Sequence, residues 1–223
     1  MLLVVLTYAS ACQAIDYLTP PKEIALIIGE PWKDMQARST AQIGDDIPDE
    51  IWFREPIDRA YLRFADPQYA FTTPPAKFFA IGFNRGRIDS IRISPQVEPL
   101  PLQDALNIIL DLQHQWRKSG WDLDDPVGFP AYENAPFWID ALKNCRARTT
   151  QWDAGEKYEL MVVATCYEDK RHPNEQRYLV TISMGKYDKG LERPFRKRLN
   201  SPSVKFRKAV QYDEQRKTAF DLG

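Results

Sequence analysis

Two stretches in the C-terminal half constrain the fold most: "YELMVVATCYE" and "RYLVTISMG", separated by the polar run "DKRHPNEQ". In the first, Tyr158, Leu160, Val162, Ala164 and Cys166 recur at every second position; in the second, Tyr178, Val180, Ile182 and Met184 do so. A period of two buries one face of a strand. Two such strands joined by a polar loop predict an antiparallel pair. A further strand over 147–152 and a turn at Asp153-Ala154-Gly155-Glu156 precede it.

A second β unit lies upstream in "KFFAIGFNRGRIDSIRIS". Phe79, Ile81 and Phe83 alternate, Asn84-Arg85-Gly86 supplies a turn that tolerates positive φ, and Ile88, Ile91 and Ile93 run back. Ile88 is out of phase with the other two, which predicts a bulge. Between the two β units, Leu102, Ala105, Leu106, Ile109, Leu112 and Trp116 form a helical stripe, with Arg117, Lys118 and Gly120 suited to its C-terminal end. A shorter helix follows Asn134 and runs to Cys145. Nearer the start, "EIALIIGE" and "RAYLRFA" read as strands, "PWKDMQARS" as a short helix, and Ile51–Phe53 as a short strand in an acidic loop. Strands, hairpin, two helices and a three-stranded meander in this order predict an α+β class with mainly antiparallel sheet, in a single domain over 23–187. Whether the two β units share one sheet is left open by the pattern.

The chain has 223 residues, 43% of them hydrophobic, enough for one substantial core. A net charge of -1 gives no global attraction to nucleic acid or to an anionic membrane. The charge is uneven: 11 Lys/Arg and 5 Asp/Glu lie from Lys186 onward, against 19 and 26 before it. Residues 188–223 lack apolar periodicity and read as a mobile basic tail.

Leu2 to Leu6 form an apolar run too short to span a bilayer, followed by Ala9, Ser10, Ala11 and Cys12. That is the shape of the later part of a secretory signal, whose basic start would lie upstream. The alternative is a short buried strand. Ala9-Ser10-Ala11-Cys12 resembles a bacterial lipobox, with Ala9 where Leu is usual. The resemblance implies cleavage before Cys12, a lipid on Cys12 and, through Gln13, transfer to the outer membrane. Residues 1–12 then form an address, 13–22 a tether, and the location is periplasmic with the membrane reached through a lipid anchor at most. In an oxidising compartment Cys145 and Cys166 would suit one disulfide; two separate buried thiols suit them equally.

No recognisable chemistry emerges from the motifs. His114 and His172 lack Cys, Asp or Glu partners at metal or triad spacing and read as surface residues. "IGFNRG" is a hairpin turn and not a phosphate loop, and no G-x-S-x-G elbow occurs. Asp122, Asp124 and Asp125 in "DLDDP" could offer oxygens to Ca²⁺, but the Gly and Glu of an EF-hand loop are missing; "IGDDIPDE" is similar. We therefore expect no catalytic residue, no metal and no cofactor. Tryptophans at element ends serve either as core closures or as binding anchors.

"GEPW", "RFADPQYAFTTPPAKFFAIGF", "RIDSIRISPQVEPLPLQDAL" and "LQHQWRKSGW" resemble exported proteins and lipoproteins of Gram-negative bacteria. Some of these lie beside type VI secretion effector genes and act as immunity proteins. The resemblance implies a periplasmic, non-enzymatic binder that occludes a toxic effector such as a lipase. Candidate protein contacts are Asp45, Asp46, Trp121, Asp122, Asp124 and Asp125. An envelope assembly or accessory lipoprotein is the alternative, and a hydrolase whose residues meet only in the fold is the third. Intact-mass measurement of protein purified from its native envelope should show a chain starting at a lipid-modified Cys12; retention of Met1 to Ala11 would contradict both cleavage and lipidation.

Overall fold

The structure is a computed structural model and describes residues 21–146 and 148–187. The expected signal (1–12), most of the tether (13–22) and the basic tail (188–223) lie outside the described residues.

Ten strands and three helices order the described residues. Strand β1 (Lys22–Leu26) leads through Gly29, at φ +92°, into helix α1 (Trp32–Arg38), which buries Trp32 and Met35. Strands β2 (Ile51–Arg54), β3 (Ala60–Phe64) and β4 (Phe71–Thr72) precede the hairpin of β5 (Phe79–Asn84) and β6 (Arg87–Ile93). Its two central residues, Arg85 and Gly86, both have positive φ, as a tight hairpin turn matched to strand twist requires. The register passes from Gly82↔Ser90 to Phe83↔Ile88, so Asp89 is the extra residue of the bulge foreseen from the phase of Ile88.

Helix α2 (Leu102–Lys118) buries the apolar stripe read from its spacing, apart from the partly buried Leu102 at its start, and also Gln113. Both ends of the Gln113 amide are bonded: Nε2 donates to the Tyr132 carbonyl at 2.9 Å and Oε1 accepts from the Tyr132 N–H at 2.9 Å. The helix ends where Gly120 takes φ +86° and the Trp121 N–H reaches back to the Trp116 carbonyl at 2.9 Å. Strand β7 (Asp122–Leu123), helix α3 (Pro136–Lys143) and strands β8 (Thr149–Ala154), β9 (Tyr158–Tyr167) and β10 (Arg177–Lys186) complete the order. The expected turn at Asp153 begins two residues later, because Asp153 and Ala154 pair with Glu159 and Tyr158 in the β8–β9 ladder.

The strands form a seven-stranded sheet, β2-β5-β6-β10-β9-β8-β7, and a three-stranded sheet, β1-β3-β4. All pairings in the large sheet are antiparallel; β1 and β3 are parallel, with Ile24 beside Leu62. The class is α+β with sheet predominant. Strand β10 joins the two β units, pairing with β6 on one side and β9 on the other. One face of the large sheet (Phe79, Ile81, Ile91, Val162, Val180, Ile182) is buried in the core with α2, α3 and the small sheet.

Aromatic rings bind these layers. Phe64 of β3 meets Tyr158 of β9 edge-on at 5.1 Å, Phe71 of β4 meets Trp116 of α2 at 5.9 Å, and Trp121 lies 6.0 Å from Phe71. Such pairs contribute about 0.5–1.5 kcal/mol each beyond the area they bury. Beneath them Asp66 is 3% exposed; it accepts from the Gln68 and Tyr69 N–H groups and from the Tyr158 hydroxyl at 2.9 Å, with Lys157 at 3.4 Å. Burial alone would raise the Asp66 carboxyl, but these hydrogen bonds and Lys157 outweigh it and hold its pKa below the usual carboxylate range.

Helix α3 ends in a Schellman turn: the Arg146 N–H donates to the Ala141 carbonyl at 2.8 Å and the Cys145 N–H to Leu142 at 2.9 Å. Cys145 occupies the left-handed position of that turn at φ +52°, a slot that glycine usually fills. A disulfide joins it to Cys166 near the end of β9, with a Cα–Cα distance of 5.4 Å, and so fastens α3 to the sheet.

Replacing Cys145 and Cys166 together by Ser should lower unfolding stability by about 3 kcal/mol in denaturant titrations. Thiol titration of the unreduced, unfolded chain should find neither residue reactive. The low folded pKa of Asp66 means its carboxylate stabilises the fold above the unfolded value of about 3.9 and ceases to do so as pH falls through the folded value. Asp66→Asn should cost roughly 1–3 kcal/mol at neutral pH and flatten the acid limb of the stability profile, measured by chemical denaturation from neutral pH downward.

Candidate functional site

The second face of the large sheet carries a different set of residues. Each strand alternates, so the positions between the core residues point away from α2 and α3. Along β5, β6 and β10 five of those positions, Ala80, Gly82, Ser90, Ser183 and Gly185, are small and lie on neighbouring strands around Arg92. They form the floor of a groove of 610 Å³. A Cβ at Gly82 would collide with the Ser90 hydroxyl, so any larger residue there would have to turn that hydroxyl aside. Exposed apolar side chains wall the groove: Phe53 of β2 and Phe78 before β5 on one side, Met161 of β9 on the other. Isolated exposed apolar residues are ordinary, but three around one small-residue floor form a contiguous surface.

Charged groups stand in this surface. Arg92 of β6 projects from the middle of the sheet, opposite Ala80 on one side and Ser183 on the other. Its guanidinium has no hydrogen-bond or ion-pair partner among the described residues and is exposed. Together with Phe78 it also lines a second hollow of 400 Å³, which continues over Leu179 and Thr181 toward Tyr167. Acids occupy the other end of the groove: Glu55, Asp153 and Glu159. The face therefore offers an apolar trough with a central cation and an acidic end. That arrangement suits recognition of a polypeptide surface with apolar anchors and charges of both signs.

The residues singled out from the sequence are distributed elsewhere. Cys12 lies outside the described residues. Asp45 is exposed and pairs with Lys33 at 2.5 Å; that ammonium, helped by the Gln36 amide, holds its pKa below the ordinary value. Asp46 lies half-buried beside Gly86, at the β5–β6 turn. Trp121 is 2% exposed, and its indole N–H donates to the Tyr69 carbonyl at 3.0 Å, so it closes the core and is not a surface contact. Asp122 is exposed in β7, at the opposite edge of the sheet from β2. The Asp124 N–H donates to the Gln151 carbonyl at 2.9 Å. Asp125 is buried: its Oδ1 accepts from the Val127 and Gly128 N–H groups, which makes it a turn former and removes it from the contact set. The fold does not bring the Asp45-Asp46 loop and the Asp122–Asp125 loop onto one surface. Just past the latter, Val127, Phe129 and Phe137 are exposed, with the Arg148 guanidinium 4.5 Å above the Phe137 ring.

The titratable groups found in close contact are structural. His172 was expected to stand alone, but its Nδ1 lies 3.0 Å from Asp169, which also accepts from the Arg171 side chain and backbone. The side-chain donors Arg171 and His172 hold the Asp169 carboxyl well below its usual range and tie up the loop between β9 and β10. Burial pushes the Tyr132 hydroxyl up to about 12; it donates to the Arg148 carbonyl and accepts from the Ala164 N–H at 3.0 Å. Among the described residues no three His, Cys, Asp or Glu side chains converge as metal ligands. No helix among them is long and apolar enough to cross a membrane.

No family model, curated protein or solved structure matches this chain.

The sequence does carry a signal for the groove. In "FAIGFN", "RIDSIRI" and "TISMGK" most residues alternating with the core set are small on adjacent strands. The same period of two that marks the buried face marks this one, but small residues there do not by themselves announce a groove. Because the Arg92 side chain has no partner among the described residues, Arg92→Ala should change stability by less than about 0.5 kcal/mol in denaturant titrations.

Proposed function

We propose that this chain is an exported, non-enzymatic binding protein that holds one protein partner against the open face of its seven-stranded sheet. The observation that carries the proposal is the trough itself: Phe53, Phe78 and Met161 around a floor of small residues, with Arg92 at its centre. Core-like apolar anchors in a groove with a charged rim are what protein interfaces present. The residues over 23–187 are read as one folding unit, because a continuous core runs from Ile24 to Met184.

Two features support export. The Cys145–Cys166 disulfide suits an oxidising compartment, and the Leu2 to Cys12 segment suits an address ending in a lipid-bearing Cys12. A periplasmic protein anchored in this way, with no nucleic acid and no cofactor, fits the immunity type: it would occlude a toxic type VI secretion effector, for example a lipase, by covering a surface.

Affinity purification from native cells with a tagged chain, followed by mass spectrometry, should recover one effector reproducibly. Phe53→Asp and Met161→Arg should each weaken that complex by roughly 30-fold while leaving the unfolding midpoint in place. Asp122→Arg, at the far edge, should leave the affinity unchanged. Retention of the partner by both groove variants would overturn the reading, as would recovery of envelope-assembly components alone.

A further inference from the structure

Strand β2 ends the large sheet on the side of the trough, and its sequence is unusual for an edge. Ile51, Trp52 and Phe53 are 65%, 57% and 44% exposed, so it presents apolar side chains on both faces of the sheet at once. Soluble proteins usually blunt such an edge with charge, proline or a covering loop. Here Arg54, Glu55 and Pro56 follow the strand, and the loop before it bridges Pro56 at Ile43 and accepts from the Ile57 N–H at Gln42 at 2.9 Å, so the covering stops short of Ile51–Phe53, where the Trp52 and Phe53 rings stack on each other at 5.5 Å.

The backbone pattern shows which groups face outward. Ile51 pairs with Asn84 and Trp52 with Phe83, and the Arg85 N–H donates to the Glu50 carbonyl at 3.0 Å. Residues 50, 52 and 54 therefore direct their backbone groups toward β5, and Ile51 and Phe53 direct theirs outward. We propose that β2 pairs with β2 of a second copy of this chain, antiparallel, about a two-fold axis at Trp52.

Self-complementarity selects both the partner and the register. An axis at Trp52 sets Ile51 opposite Phe53 of the other copy, twice. These are the residues with outward donors and acceptors, so each pair exchanges two backbone hydrogen bonds. Trp52 then faces its own copy as a non-hydrogen-bonded pair, the arrangement with the closest side chains. One step further out, Glu50 meets Arg54 of the other copy on both sides of the axis. Arg54 donates through Nε to the Asp45 carbonyl at 2.8 Å and has both Nη groups uncommitted among the described residues. An axis at Phe53 would instead set Ile51 against Glu55, and one at Ile51 would set Phe53 against Asp49, which leaves the strand at φ +62°. Only the Trp52 axis matches apolar to apolar and acid to base. Because this axis is perpendicular to the sheet, both open faces stay on the same side. The dimer presents two troughs side by side, with Phe53 of each at the join. The dimer does not depend on the identity of the partner that occupies the troughs.

The test is sedimentation velocity of the full chain over a roughly hundredfold concentration range. The expected result is a monomer–dimer equilibrium weakened about tenfold or more by E50R or by R54E, each of which opposes like charges twice. The double variant E50R/R54E, which reverses both members of each pair, should recover the dimer. Under mild oxidation W52C should cross-link through position 52, read by peptide mass, and I51C should not cross-link to itself. A chain that remains monomeric throughout, or a dimer indifferent to both single charge reversals, would overturn the proposal.

Discussion

The structure depends on the position of β10. Its ten residues pair with β9 along their whole length and with β6 through Ile182–Gly185. Without that insertion the 79–93 hairpin and the 149–167 pair would be two small sheets, each with little surface to bury. With it, seven strands share one apolar face large enough to hold α2, α3 and the small β1-β3-β4 sheet. The same pairing aligns Ser183 and Gly185 with Arg92, Ser90 and the Gly82 row, which produces the groove on the other side. Core and candidate site are thus two consequences of one register, and a slip by one residue would exchange them.

The covered face is held by apolar packing that is unusually aromatic. Phe64, Phe71, Trp116, Trp121 and Tyr158 contact one another across four elements, β3, β4, α2 and β9, and the loop that follows α2. Most polar groups buried among them are matched: Asp66 by four donors, Gln113 by the Tyr132 backbone, Tyr158 by Asp66; the Trp116 indole N–H is the exception, without a partner among the described residues. Such matching matters more than the number of bonds, since an unmatched buried group would cost about 1–3 kcal/mol. The open face follows the opposite rule. Its apolar residues are exposed and its central cation has no partner among the described residues, which is why it is the surface proposed for the partner.

Local periodicity made much of the fold legible. The α2 stripe, the hairpin with its bulge at Asp89, and the Tyr158 and Tyr178 strands are all present where the spacing of apolar residues put them. Long-range pairings were not legible. The parallel β1–β3 contact joins residues separated by a helix and an acidic loop, and neither strand carries a mark of its partner. The two-residue strands β4 and β7 are too short for any period. Site residues were harder to read, because a residue type does not reveal its exposure. Trp121 follows a helix-ending glycine, a position that resembled a binding loop, yet the chain reversal at Gly120 turns it into the core. Asp125 looked like one of three solvated acids and is the acceptor of a tight turn. The Cys145–Cys166 bond needed the Schellman turn at the end of α3 to bring the two Cα atoms within 5.4 Å.

The proposed partner would cover the open sheet face and leave the acidic loops bare. Hydroxyl-radical footprinting of the chain, free and in complex with its captured partner, tests this directly. Met161, Phe53 and Phe78 are exposed and oxidisable, and Met184 and Trp121 are buried internal references. Met161, Phe53 and Phe78 should be strongly protected in the complex, with Phe129 and Phe137 labelled as in the free chain. Protection of Phe129 and Phe137 with Met161 still labelled would contradict it.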